Sequence, residues 1–89
     1  MKAVITVVGK DMVGILAKVA TKCSDFNVNV EDVTQSILQD LFVMIMLVDI
    51  TNINKPFTDF SAKMNGLGEE MGLVIHTMHE DIFNSMHRI

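Results

Sequence analysis

Apolar and polar positions change their period several times along the chain, and each change marks an element. Ala3–Val8 is a β-rich apolar run closed by Gly9, the pattern of a first strand. From Ile15 the apolar residues step at helical spacing through Leu16, Val19, Ala20, Cys23 and Phe26, with Lys18, Lys22 and Asp25 on the other side. Asp11 stands ahead of this helix as its expected N-cap, because a carboxylate there can accept the free amide protons of the first turn. The helix runs out near Asn27. Val28, Val30 and Val33 alternate loosely in a second strand that extends to Leu38, and Gln39-Asp40 suits a hairpin turn. Leu41–Val48 is the third strand and the most apolar piece of the chain. The only proline, Pro56, ends a loop-like stretch from Thr51 and is expected to open a second helix, where its missing N–H costs nothing. Phe57, Phe60, Met64, Leu67 and Met71 then share one helical face, and Gly72 is placed to end it in a left-handed backbone. Leu73–His79 makes a fourth strand. Asp81 can cap a last short helix, about residues 81–88, that carries Ile82, Phe83 and Met86 and reaches towards Ile89.

The order β-α-β-β-α-β predicts an α+β fold of the ferredoxin-like kind: a four-stranded antiparallel sheet with both helices on one face, followed by a short C-terminal helix. The third strand adds a further expectation. A sheet face open to solvent imposes alternation of apolar and polar residues, and Phe42–Val48 does not alternate. Both faces therefore call for cover, and the two long helices supply only one. Either the terminal helix folds back over the open face, or a partner subunit covers it, or both.

Length and composition narrow the classes. Eighty-nine residues allow a single domain, 1–89, and exclude large catalytic apparatus. With 49% apolar and 20% charged residues, the chain has the composition of a folded core and not of a disordered one. The eight-residue run Leu41–Val48 is far short of the roughly 20 needed to span a bilayer. No small-residue cleavage site follows the apolar stretch after Lys2, so a cytoplasmic protein is expected. Seven basic against eleven acidic residues give a net charge of −4, which argues against a nucleic-acid partner. The absence of Trp and Tyr argues the same way.

Candidate chemistry is sparse. Gly9–Ile15 joins the first strand to the first helix, and a helix N-terminus attracts carboxylates and phosphates through its unpaired amides and dipole. Gly14 has two readings there: close approach of a ligand to the backbone, or close packing of the helix on the sheet. The segment lacks both glycine-rich phosphate-loop patterns. His76 and His79, followed by Glu80, Asp81 and later His87, include metal-ligand types. In a strand, however, His76 and His79 project to opposite faces, so no metal or other cofactor is expected. Cys23, on the apolar helix stripe, is expected to be a buried core residue, and so are Met44, Met46, Met64, Met71 and Met78.

Asp11-x-x-Gly14-Ile15, a helix of about a dozen residues and then Asn29-Val30-Glu31-Asp32-Val33 resemble the signature of the ACT domain. The resemblance covers essentially the whole chain. Among ACT proteins the sequence is similar to the stand-alone bacterial UPF0237 proteins and to the modules of glycine cleavage transcriptional repressors. It implies a dimer that binds an amino acid between the strand–helix loop of one subunit and the second strand of its neighbour. Carried onto this sequence, the loop is Lys10, Asp11, Met12, Val13 and Gly14, and the neighbouring strand supplies Asn29, Glu31 and Asp32. No enzyme or DNA-binding domain accompanies the ACT pattern in these 89 residues, so an unidentified protein partner would read out the signal.

The expected function is thus a non-catalytic, amino-acid-binding regulatory module acting as a homodimer or higher oligomer, with no membrane or nucleic-acid partner. The alternatives are a ligand-free regulatory dimer acting through a partner protein and a small ferredoxin-like enzyme. Acylphosphatase chemistry on this fold needs an arginine in the phosphate loop, and the only arginine is Arg88. A metallochaperone would want Cys-x-x-Cys, which one cysteine cannot supply. An RNA recognition motif would stack bases on aromatics of the third strand, where only Phe42 stands.

Overall fold

The structure, a computed structural model, describes residues 1–86. These residues form β1 (Lys2–Lys10), α1 (Ile15–Asp25), β2 (Asn29–Leu38), β3 (Leu41–Asp49), α2 (Phe57–Met71), β4 (Leu73–His79) and α3 (Glu80–Met86). The strands lie in the order β2-β3-β1-β4 with antiparallel neighbours throughout, which is the expected ferredoxin-like sheet.

Alternation along the strands sorts the side chains onto two faces. Ala3, Ile5 and Val7 of β1 share one face with Met44, Met46 and Val48 of β3 and Ile75 of β4. Ile15, Val19 and Cys23 of α1 and Phe60, Met64 and Leu67 of α2 bury against that face. The rings of Phe26 and Phe60 meet at 5.2 Å at its centre. Met44, Met46 and Met64 are wholly buried, so most of the methionine content is core filling. Met71 and Met78 are only partly buried.

Three local expectations need correction. Asp11 does not cap α1: the N-cap is Gly14, no side chain bonds the first turn, and Asp11 lies in the loop four residues before the helix. Pro56 is the N-cap of α2 and not its first helical residue, because its ψ of 144° is still extended. The last helix begins at Glu80, directly after β4, with Glu80 and Asp81 both in its first turn. The expected helical residues His87 to Ile89 lie outside the described residues. Gly72 does end α2 in a left-handed conformation, with φ 70°.

The third strand carries the largest lesson. Its buried residues alternate strictly (Phe42, Met44, Met46 and Val48), so its own helix layer covers one face only. On the other face α3 packs against β1 and β4. Val4 is buried there, apart from the main core. Ile45 remains exposed, so α3 covers that face only in part.

Candidate functional site

β1 ends at Lys10, and its chain direction must turn before α1 can cross the sheet. Asp11 donates its backbone N–H to the Asp40 carbonyl at 2.9 Å, which ties the loop to the β2–β3 hairpin. Met12 is exposed and Val13 wholly so. Gly14 then adopts φ 89°, a left-handed conformation that costs a residue with a Cβ roughly 1–2 kcal/mol. Nothing lies within 4 Å of the place where its Cβ would stand. Packing against the sheet is therefore not the reason for this glycine; backbone conformation is, and the space above it is open. The Gly14 carbonyl accepts the first helical hydrogen bond, from Lys18 N–H at 3.1 Å. The first turn of α1 has no acidic residue and no capping side chain, so its amides keep their attraction for an anion.

Asn29, Glu31 and Asp32 lie elsewhere. β2 runs parallel to β1 two strands away, so its start lies beside Asp49 and Lys2 and its end, Leu38, lies near the loop. Nine residues of strand at about 3.3 Å each put Asn29 about 25–30 Å from Lys10–Gly14 within one chain. The two halves of the expected site are not brought together in a single protomer.

The environments of these three residues also differ. Glu31 occupies the irregularity in β2 between Val30 and Asp32, and its carboxylate pairs with the Lys2 ammonium. That hydrogen bond raises the Lys2 pKa. Asp32 is exposed and accepts the Val33 N–H at 2.9 Å. Asn29 lines a pocket of about 440 Å³ with Ser24, Asn27, Asp49 and Asn52. Here sequence reasoning missed a polar cluster whose signal was the run of asparagines at 27, 29, 52 and 54. Most of it is structural. Asn27 Nδ2 donates to the Asn52 carbonyl at 2.9 Å, and Asn54 Nδ2 donates to the Asp25 carbonyl at 3.1 Å, fastening the end of α1 to the loop before α2. Asp49 accepts the Thr51 hydroxyl at 2.5 Å and the Thr51 N–H at 2.9 Å, which lowers its pKa.

The remaining candidates separate as their strand positions require. His76 is exposed on the open face of the sheet, and His79 stacks its ring on Phe57 at 4.4 Å on the helix face. No group of three or more metal-ligating side chains forms among the described residues. Cys23 is fully buried, and burial pushes its thiol up to about 11, far from the range of a reactive thiolate. No helix among the described residues is long and apolar enough to cross a membrane.

The fold is ferredoxin-like, and its strand–helix loop offers uncapped helix amides. Comparison with known proteins gives the family: a sequence model of the ACT domain matches residues 2–78, and the chain belongs to the ACT domain family. A UPF0237 protein of Listeria innocua is 45% identical over 89 residues, covering all of both chains. The solved ACT domain protein from Streptococcus pneumoniae is 34% identical, covers 93% of each chain and superposes with a TM-score of 0.80. A putative glycine cleavage system transcriptional repressor shares the fold at a TM-score of 0.72 and 24% identity, covering 85% of this chain and 43% of that one. ACT domains are regulatory modules that bind small molecules.

Proposed function

We propose that this protein is a non-catalytic, cytoplasmic amino-acid sensor that works as a homodimer, with each binding site shared between two chains. The observation that carries the reading is the separation of the loop from Asn29. The loop offers the open amides of α1, suited to a carboxylate. Asn29 and Asp32 offer oxygens suited to an ammonium, but at the far end of β2. β2 is an edge strand with a free side. A two-fold axis beside Val33 and Thr34 would pair two copies of β2 antiparallel and set each Asn29 beside the partner's Leu38. Leu38 ends the strand on the side where the loop is fastened to Asp40. Glu31, held by Lys2, would orient this end of β2 and not contact the ligand.

Thermal-shift screening against the amino acids tests this. A ligand that binds only the folded state stabilises it by roughly 2.7 kcal/mol at a hundredfold excess over its dissociation constant. Gly14→Val should abolish the shift, measured from the variant's own melting point, and Asn29→Ala should weaken it. A shift that survives both substitutions places the site elsewhere. No shift with any amino acid leaves a ligand-free regulatory dimer as the better reading.

A further inference from the structure

On the covered face of the sheet, α1 and α2 meet along an outer groove. Its main part, about 690 Å³, is floored by Phe26 and Leu67 of the core together with Ala62 and Gly66. A smaller part of about 320 Å³ continues past Ala17 and Thr21. The rise of α2 from Asp59 to Glu70, both of which line it, makes the groove about 16 Å long.

The charge of the groove is the reverse of the chain's. Lys18, Lys22, Lys55 and Lys63 line it, four of the seven basic residues, against the carboxylates of Asp59 and Glu70. The whole chain carries −4. Among the described residues no ion pair engages any of these four lysines. Helix electrostatics account for one of them: Lys22 stands in the last turn of α1, where a cation is favoured. Lys55 precedes the N-terminus of α2 and Lys18 lies close to that of α1, where the dipole disfavours a cation. Gly66 is a separate observation. It costs α2 helical stability, and nothing lies within 4 Å of the place where its Cβ would stand, so no contact within the chain requires it. What it does is keep the floor of the groove low.

We infer that this groove is the docking surface for an acidic amphipathic helix of a partner protein. Apolar side chains on one face of such a helix reach Phe26, Leu67 and the space over Gly66, and carboxylates on its flanks meet the lysines. About three helical turns fill the length, which is more than a free amino acid can use. Two carboxylates and no arginine in the lining suit a polypeptide better than a phosphate backbone, whose affinity comes from Lys and Arg neutralising each phosphate. The groove shares no residue with the Lys10–Gly14 loop or with Asn29, Glu31 and Asp32, and the inference does not rest on the amino-acid reading.

Fluorescence anisotropy tests it, with the full chain and a labelled helical peptide of about three turns that carries leucines on one face and glutamates on the other. The acidic peptide should bind saturably, and its affinity should fall about tenfold when salt is raised from low to well above physiological. The same peptide with lysine in place of glutamate should not bind. Lys63→Glu and Gly66→Leu should each weaken the acidic peptide by about tenfold and keep a cooperative thermal transition, since both positions are exposed. The first reverses a rim charge, and the second fills the floor without changing charge. No saturable binding, equal binding of the basic peptide, or an affinity that Gly66→Leu leaves unchanged overturns the inference. So does a single-stranded oligonucleotide that displaces the peptide, which would make this a phosphate-binding surface. A loss of sedimenting mass in Gly66→Leu overturns it too, because the occupant would then be a second copy of the chain.

Discussion

Two glycines two residues apart in α2 should respond to alanine with opposite signs. Both sit inside the helix, where glycine costs about 1 kcal/mol relative to alanine through backbone entropy. A Cβ on Gly66 would meet nothing within 4 Å, so Gly66→Ala should recover most of that amount. A Cβ on Gly68 would stand 2.8 Å from the Leu73 carbonyl oxygen and 3.1 Å from Ile75 Cγ1. The first of these neighbours is backbone of β4 and cannot rotate away. Overpacking of this kind costs about 1–3 kcal/mol, and against backbone that cannot yield the upper part of that range applies, so Gly68→Ala should be destabilised by up to about 2 kcal/mol net of the helical gain. For a domain of this length each kcal/mol moves the melting temperature by about 4–8 °C. Thermal unfolding followed by circular dichroism should therefore show Gly66→Ala several degrees above wild type and Gly68→Ala several degrees below. Shifts of the same sign would refute the claim that α2 is seated on β4 through its glycine.

Other positions give independent checks. The Thr77 hydroxyl is buried without a hydrogen-bond partner among the described residues, so the isosteric Thr77→Val should raise stability by about 1 kcal/mol in a urea titration. Cys23, with its thiol pushed up to about 11, should resist a thiol reagent at pH 8 in the native protein and react promptly once unfolded. The Asp49 pKa is lowered by hydrogen bonds from Thr51, so the stability it contributes is complete at neutral pH and fades as pH falls through the depressed value. Asp49→Asn should accordingly lower the melting temperature at pH 7, and the difference from wild type should narrow in acid.

Much of the fold was legible because separate signals agreed. The period of Phe57–Met71, the glycine after it and the β-branched residues of Leu73–His79 all point to one arrangement, and the structure has it. Helix starts were less legible. Asp11 has the chemistry of a cap, but a glycine with positive φ placed three residues later decides where the helix begins, and sequence alone does not print φ. Strand three was legible in part. Its unbroken apolar run calls for cover on both faces, and within the chain the helices cover one face and α3 part of the other. The candidate site was legible only as two fragments. Their separation along the sheet depends on strand order, which becomes visible once β2 is found beside β3 with Asn29 opposite Asp49.

The central claim, a site shared between chains, is tested most directly by mixing two defective subunits. Gly14→Val spoils the loop and leaves Asn29 intact; Asn29→Ala does the reverse. A mixed dimer of the two has one doubly spoiled site and one complete site, made from the wild-type loop of one chain and the wild-type β2 of the other. The amino acid found by thermal-shift screening is titrated calorimetrically into each variant alone and into an equimolar mixture refolded together. The account predicts weak or no binding by either variant alone, and recovery of wild-type affinity in the mixture at about one site per four chains, since random pairing makes half of the dimers mixed. A mixture that binds no better than its two components would show that the loop and Asn29 do not complete one another across chains, and would contradict the account.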